Sequence, residues 1–181
     1  SSPGEFAPMV RDARARLLGK VPLPRARPKT LPELLTGRED SQRVEVQGIV
    51  RSAQIGNGHL TLGLNVAGGQ INAHIPGYDR QPAPAHLVDA EVRVPGVCAT
   101  IFNQKRQLLG VQLHLNQLDE IIITQPAPAD PFAVEARSIT NLLGFEMHAS
   151  MDHRIRVQGV VTFRDPRWHT LFIQDDGNGL Y

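Results

Sequence analysis

The chain has 181 residues, is 41% hydrophobic and carries 19 Lys+Arg against 18 Asp+Glu, enough for one large domain or one and a half to two small ones with cores. Balanced charge excludes a field strong enough to argue for nucleic acid or an anionic membrane, and an aromatic content of 5% weakens any reading built on base stacking. One cysteine, Cys98, excludes an intramolecular disulfide and any Cys-pair metal motif.

Phe6 to Leu18 reads as a strand tail with Arg14 and Arg16 facing water. Pro22 to Lys29 holds three prolines and three basic residues and reads as an extended crossing. Thr30 then caps a short helical turn from Leu31 to Leu35, with Pro32 in its first turn and Gly37 as its stop. Residues 43 to 53 alternate as a first strand, and Gly48 within them predicts a bulge or sharp bend. Beyond the turn at Gly56-Asn57-Gly58, Leu60, Leu62 and Leu64 alternate in a second strand. Gly68-Gly69 turns the chain into a third, with Ile71, Ala73 and Ile75. An irregular stretch and one helical turn at His86-Leu87-Val88 lead to a fourth strand, Glu91 to Thr100. It repeats the first strand's V-x-V-x-G signature, Val44 to Gly48, within Val92 to Val97. After the polar turn Asn103 to Gln107, Leu109, Val111, Leu113 and Leu115 alternate in a fifth strand directed toward Ile123.

Five strands with a pause between the third and fourth is the order of an OB-fold barrel, and glycine-broken first and fourth strands suit the coiling a small barrel needs. An antiparallel sandwich is the alternative. From His153 the pattern restarts: Arg154-Ile155-Arg156-Val157-Gln158-Gly159-Val160-Val161 returns Arg43 to Val50, and Thr170 to Gln174 forms a second strand. The fold class is therefore all-β, an OB-fold-like five-stranded barrel flanked by partial copies of the same module. Residues 1–41 form the tail strand of a preceding module with its crossing and helical turn, 42–125 the complete barrel, 126–152 a linker, and 153–181 the first strands of an incomplete module. Such incomplete copies are expected to pack on the central barrel, pair with each other, or pair across chains as a homodimer by strand addition.

Chemistry-bearing motifs are few. His148 and His153 are five apart, which fits neither helix nor strand spacing, and no His-Glu-x-x-His joins His59 and His74, so no metal site is expected. Asp175-Asp176-Gly177-Asn178-Gly179 lacks the spaced ligands of a calcium loop and reads as a turn. Ser52, Ser138 and Ser150 lack a nucleophile elbow, and the acidic pairs Glu39-Asp40 and Asp119-Glu120 sit at element ends, so neither catalysis nor a cofactor is expected. OB-folds bind at the first-to-second and fourth-to-fifth loops. These point to Phe102, Lys105 and Arg106 of the fourth-to-fifth loop as candidate ligand-binding residues, with Trp168 in the first-to-second loop of the incomplete copy, Arg164 to His169.

Gly159-Val160-Val161-Thr162-Phe163, Asp165-Pro166, Leu171 to Asp175 and Gly179-Leu180-Tyr181 resemble a β module found near the N-terminus of many bacterial two-component sensor histidine kinases, often in tandem ahead of a membrane span. Gly37 to Arg51 and Phe102-Asn103 with Arg106-Gln107-Leu108 are similar to it too. The resemblance implies an extracytoplasmic, periplasmic input region of an inner-membrane protein and carries over no ligand-binding residue. No kinase, phosphoacceptor or transmembrane segment is read in these residues, and the opening residues Ser1 to Glu5 do not read as a signal peptide. Any membrane contact is therefore expected through segments outside this chain. The expected function is a non-catalytic sensory or interaction module for an unidentified ligand or protein partner. The alternative is an OB-fold nucleic-acid-binding module, which the charge and aromatic content disfavour.

Overall fold

The computed structural model describes residues 2–3, 8–9, 12–105, 107–143, 153–168 and 170–181, in two compact units, Ser1–Ala127 and Pro128–Tyr181. In the first unit, α1 (Leu31–Leu34) follows Thr30, whose main-chain N–H and Oγ1 both donate to the Glu33 carboxylate at 2.8 and 2.9 Å. That reciprocal cap and a first-turn proline let a four-residue helix form. Leu31 and Leu34 are buried and close one end of the barrel core.

The barrel strands are β1 (Arg43–Gly56), β2 (His59–Val66), β3 (Gly69–Pro76), β4 (Glu91–Phe102) and β5 (Leu108–His114). They pair in the order β1-β2-β3-β5-β4, and β4 returns to β1 from Arg43↔Val97 to Ile49↔Glu91, which closes the barrel. Only β3 and β5 run parallel, through Asn72↔Gln112, Ala73↔Leu113 and His74↔His114. This is the OB-fold, and the sandwich reading is set aside because every strand belongs to one closed sheet. Alternation sends Leu60, Leu62, Leu64, Ile71, Ala73, Ile75, Val92, Val94, Val111 and Leu113 inward, all buried. Each such aliphatic side chain contributes about 1.5–3 kcal/mol when fully buried.

Three sequence expectations need correction. The bulge of β1 lies between Val50 and Ser52, not at Gly48. Gly48 marks a close approach instead: a Cβ there would collide with the Asn65 carbonyl oxygen and stand 2.8 Å from Val66 Cγ1. The fifth strand does not run on to Ile123: a 3₁₀ turn at Leu118–Glu120 interrupts it, and the chain rejoins β4 as β6 (Ile122–Gln125). Of the expected strand tail, Phe6 to Leu18, residues 6–7 and 10–11 lie outside the described residues and Pro8–Met9 pairs with Ser2–Pro3; residues 13–18 are irregular rather than a strand, with Leu17 and Leu18 80% and 89% exposed.

The second unit repeats the first from its opening bridge onward. In the first unit Arg27–Pro28 pairs in parallel with Val44 and Glu45. In the second, Ala136–Arg137 pairs in parallel with Arg156 and Val157, and α2 (Ile139–Leu143) follows as α1 does. The stretch 126–152, expected as linker, thus includes the opening of the second copy; its residues 144–152 lie outside the described residues. β7 (Val160–Asp165), β8 (Thr170–Asp175) and β9 (Asn178–Leu180) reproduce β1 to β3. Ser52↔Gly63 recurs as Phe163↔Phe172, Val66↔Gly69 as Asp175↔Asn178, and the bulge recurs between Val161 and Phe163. Gly159 repeats the close approach of Gly48, its Cβ position lying 2.6 Å from Gln174 O. The acidic run is a two-residue hairpin turn, with Asp176 and Gly177 at φ 43° and 82°. Val160 and Leu171 are exposed on this three-stranded sheet, with no further strand among the described residues of the unit packed against them.

Candidate ligand-binding face

The β1–β2 loop is a tight turn, with Asn57 and Gly58 both at positive φ. The β4–β5 loop is organised by Asn103, whose Oδ1 accepts from the main-chain N–H groups of Lys105 and Gln107, both at 2.9 Å. Its Nδ2 donates to Gln107 Oε1 at 2.8 Å. This side-chain turn holds Lys105 exposed beside half-buried Phe102. Arg106 lies outside the described residues. Trp168 is 78% exposed in the β7–β8 loop of the second unit. Phe102 and Lys105 thus belong to the β4–β5 loop of the first unit, and Trp168 to the β7–β8 loop of the second, the counterpart of the β1–β2 loop.

Between the loops lies a face that loop-based reasoning missed. Because Leu60, Leu62, Ile71, Ala73 and Leu113 point inward, their neighbours Thr61, Asn72, His74, Gln112 and His114 point outward. Parallel pairing of β3 with β5 sets His74 beside His114, ring centroids 5.6 Å apart and tilted by 32°. Thr61 Oγ1 holds His74 Nδ1 at 3.1 Å, and Gln112 Nε2 lies 3.0 Å from His114 Nε2. Burial, and then the neighbouring His114, holds the His74 pKa below the ordinary 6.5. Beside them Gly63 opens a notch, since a Cβ there would stand 2.6 Å from Ser52 Oγ. The face offers uncharged donors and acceptors. Among the described residues no three His, Cys, Asp or Glu side chains stand together as a metal site. The strand alternation carried the signal for Thr61 and His74; the β3–β5 pairing that adds His114 had none.

In the second unit the equivalent face carries rings. Phe163 stands where the first unit has Ser52, Phe172 where it has Gly63, and Tyr181 where it has Asn72. Phe163 and Phe172 meet edge to face at 5.8 Å, and Phe172 and Tyr181 stack at 5.7 Å.

No family model and no curated protein matches the chain. Solved structures similar to it include aspartyl-tRNA synthetase from Entamoeba histolytica, 12% identical over 76% of this chain and 31% of that one, TM-score 0.43. A putative aspartyl-tRNA synthetase from Leishmania major Friedlin is 12% identical over 84% and 28%, TM-score 0.47. An OBody bound to hen egg-white lysozyme is 16% identical over 58% of this chain and all of its own, TM-score 0.40. The chain spans less than a third of the length of either synthetase. At these identities the likeness is one of fold alone.

Proposed function

We propose that the chain is a non-catalytic interaction module, an array of OB-fold copies that each offer the outer face of their first three strands to a ligand or protein partner. The observation that carries this reading is the conserved ladder under changed side chains. Both copies keep the bulge, the close-approach glycine and the β-turn register, while the outward residues change from Ser52, Gly63 and Asn72 to Phe163, Phe172 and Tyr181. Such a pair keeps how it folds and alters what it touches. The motif resemblance supports one setting, the extracytoplasmic input region of a membrane-bound two-component sensor histidine kinase. The exposed apolar side chains of β7 and β8 support strand addition between two copies of the chain as one mode of partnership.

One observation favours nucleic acid as a second reading. Arg14, Arg16, Lys20, Arg25 and Arg27 crowd into a segment, residues 13–28, that holds no acidic residue, so the near-neutral total hides a basic stretch.

Amide shifts of the isotope-labelled full chain, screened against peptides, saccharides and nucleotides, test the primary reading. Movement of Thr61, Asn72, His74 and Gln112, or of their counterparts in the second unit, is expected. Shifts confined to positions off both faces overturn it. Binding of an oligothymidylate that weakens steeply from low to physiological salt transfers the reading to nucleic acid.

A further inference from the structure

We infer that the outer face of β7, β8 and β9 is a saccharide-binding platform, and that the ligand is a neutral oligosaccharide. This rests on the interaction-module reading above and adds which copy binds and what it takes. The chain has few aromatics, yet Phe163, Trp168, Phe172 and Tyr181 fall within its last stretch of sequence. Three of them form a continuous row across three strands, Phe163 to Phe172 at 5.8 Å and Phe172 to Tyr181 at 5.7 Å. Trp168 stands at the hairpin that joins β7 to β8.

The rings are not core residues awaiting the rest of a barrel. In the first unit the barrel is closed, and the equivalent positions Ser52, Gly63 and Asn72 still lie on its outside. Closure covers the opposite face, where Leu171 and Ile173 point as Leu62 and Leu64 do. Phe163, Phe172 and Tyr181, at 53%, 41% and 93% exposure, therefore stay outside in a completed copy as well. A row of exposed rings is costly to leave in water, and suits a ligand with flat apolar surfaces.

Charge selects among such ligands. Asp165, two residues from Phe163, shares its face. Its carboxylate already holds Arg167, through the main-chain N–H at 2.9 Å and the guanidinium at 3.4 Å. The charges of β7 to β9 nearly balance, Asp165, Asp175 and Asp176 against Arg164 and Arg167. A polyanion would find no concentration of positive charge among the described residues here. A pyranose instead presents an apolar C–H face to a ring and hydroxyls around its edge. Thr170 and Gln174, flanking Phe172 on the same side of β8, and Asp165 are placed to take those hydroxyls. OB-folds are a scaffold on which this face serves oligosaccharides as well as oligonucleotides.

The test titrates the full chain with cellohexaose, laminarihexaose and chitohexaose, read by the fluorescence of its one tryptophan, Trp168, and by amide shifts. At least one saccharide is expected to bind with sub-millimolar affinity, with little salt dependence and with shifts on β7 to β9. Phe172→Ala and Tyr181→Ala should each weaken it about tenfold or more, and Phe172→Trp should retain it. Tyr181 is 93% exposed, so its variant reads binding even if Phe172→Ala unfolds the sheet. Three results overturn the inference: no saccharide binds, both alanine variants bind as well as the parent, or an oligothymidylate binds more tightly than any saccharide. If a peptide or protein moves these amides and no saccharide does, the interaction-module reading stands and the saccharide assignment falls.

Discussion

Asp40 Oδ1 accepts two hydrogen bonds from Thr100, one from the main-chain N–H at 2.9 Å and one from Oγ1 at 2.6 Å. The turn before β1 is thereby stitched to the far half of β4, beside the main-chain bonds Ser41 N–H to Cys98 O and Cys98 N–H to Gln42 O. One carboxylate secures the crossing between the capping helix and the barrel. Asp40→Ala should destabilise the first unit by about 1.5–3 kcal/mol, since it leaves a part-buried N–H and hydroxyl without their charged acceptor. Chemical denaturation followed by amide signals of β1 and β4 measures this, and an unchanged midpoint refutes it.

Gly48→Ala should cost about 1–3 kcal/mol, because strand β2 must move off the new methyl group. Gly159→Ala should do the same to the second unit, where Gln174 O lies 2.6 Å from the added Cβ. Gly110→Ala is the control, with nothing within 4 Å of its Cβ position. Urea midpoints that fall for the first two and hold for the third are the expected outcome.

Burial, then Asp40 and Glu39, push the Cys98 thiol from its ordinary 9.0 to about 11. The folded state holds the proton more tightly than the unfolded chain. Its contribution to stability is therefore complete below 9.0 and is lost as pH rises toward about 11. The folded chain should resist a thiol reagent at pH about 8, and react fully once unfolded in denaturant. Rapid reaction without denaturant would contradict the buried position.

His74 has its pKa lowered, so the folded state favours the neutral ring. That contribution is present above the unfolded value of 6.5 and is lost as pH falls through the folded value. Imidazole carbon shifts should show His74 titrating below 6.5, and His114→Ala should raise its midpoint by removing a neighbouring positive charge. A midpoint at or above 6.5 in the parent chain would refute the packing described for the pair.

The sequence displayed the barrel well because the inward residues of β2, β3 and β5 alternate with polar residues or glycine, and because the V-x-V-x-G signature marked β1 and β4 as a pair. In the structure those signatures interlock, Gly48 facing Val92 and Val44 facing Gly96. The meaning of Gly48 was not legible, since a bulge and a close crossing both call for glycine and only the position of Asn65 decides between them. The irregular course of residues 13–18 was not legible for a different reason: Leu17 and Leu18 fit a strand pattern but pair with no strand among the described residues. The candidate face was legible in half. The outward parity of Phe163 and Phe172 could be counted along each strand, but that they share a row depends on the hairpin register, and His74 meets His114 through a parallel pairing of distant segments.

The parallel bridge and helical cap that open each copy have a genetic consequence. Arg27–Pro28 with α1, and Ala136–Arg137 with α2, give each repeat its own lid and its own starting pair, so a repeat brings with it the contacts it needs to begin folding. A coding segment cut in the proline-rich stretches ahead of these bridges is a self-contained cassette. Unequal crossing-over there would lengthen or shorten the array by whole copies, and selection could then recolour the outward residues of one copy while its siblings keep the original ligand.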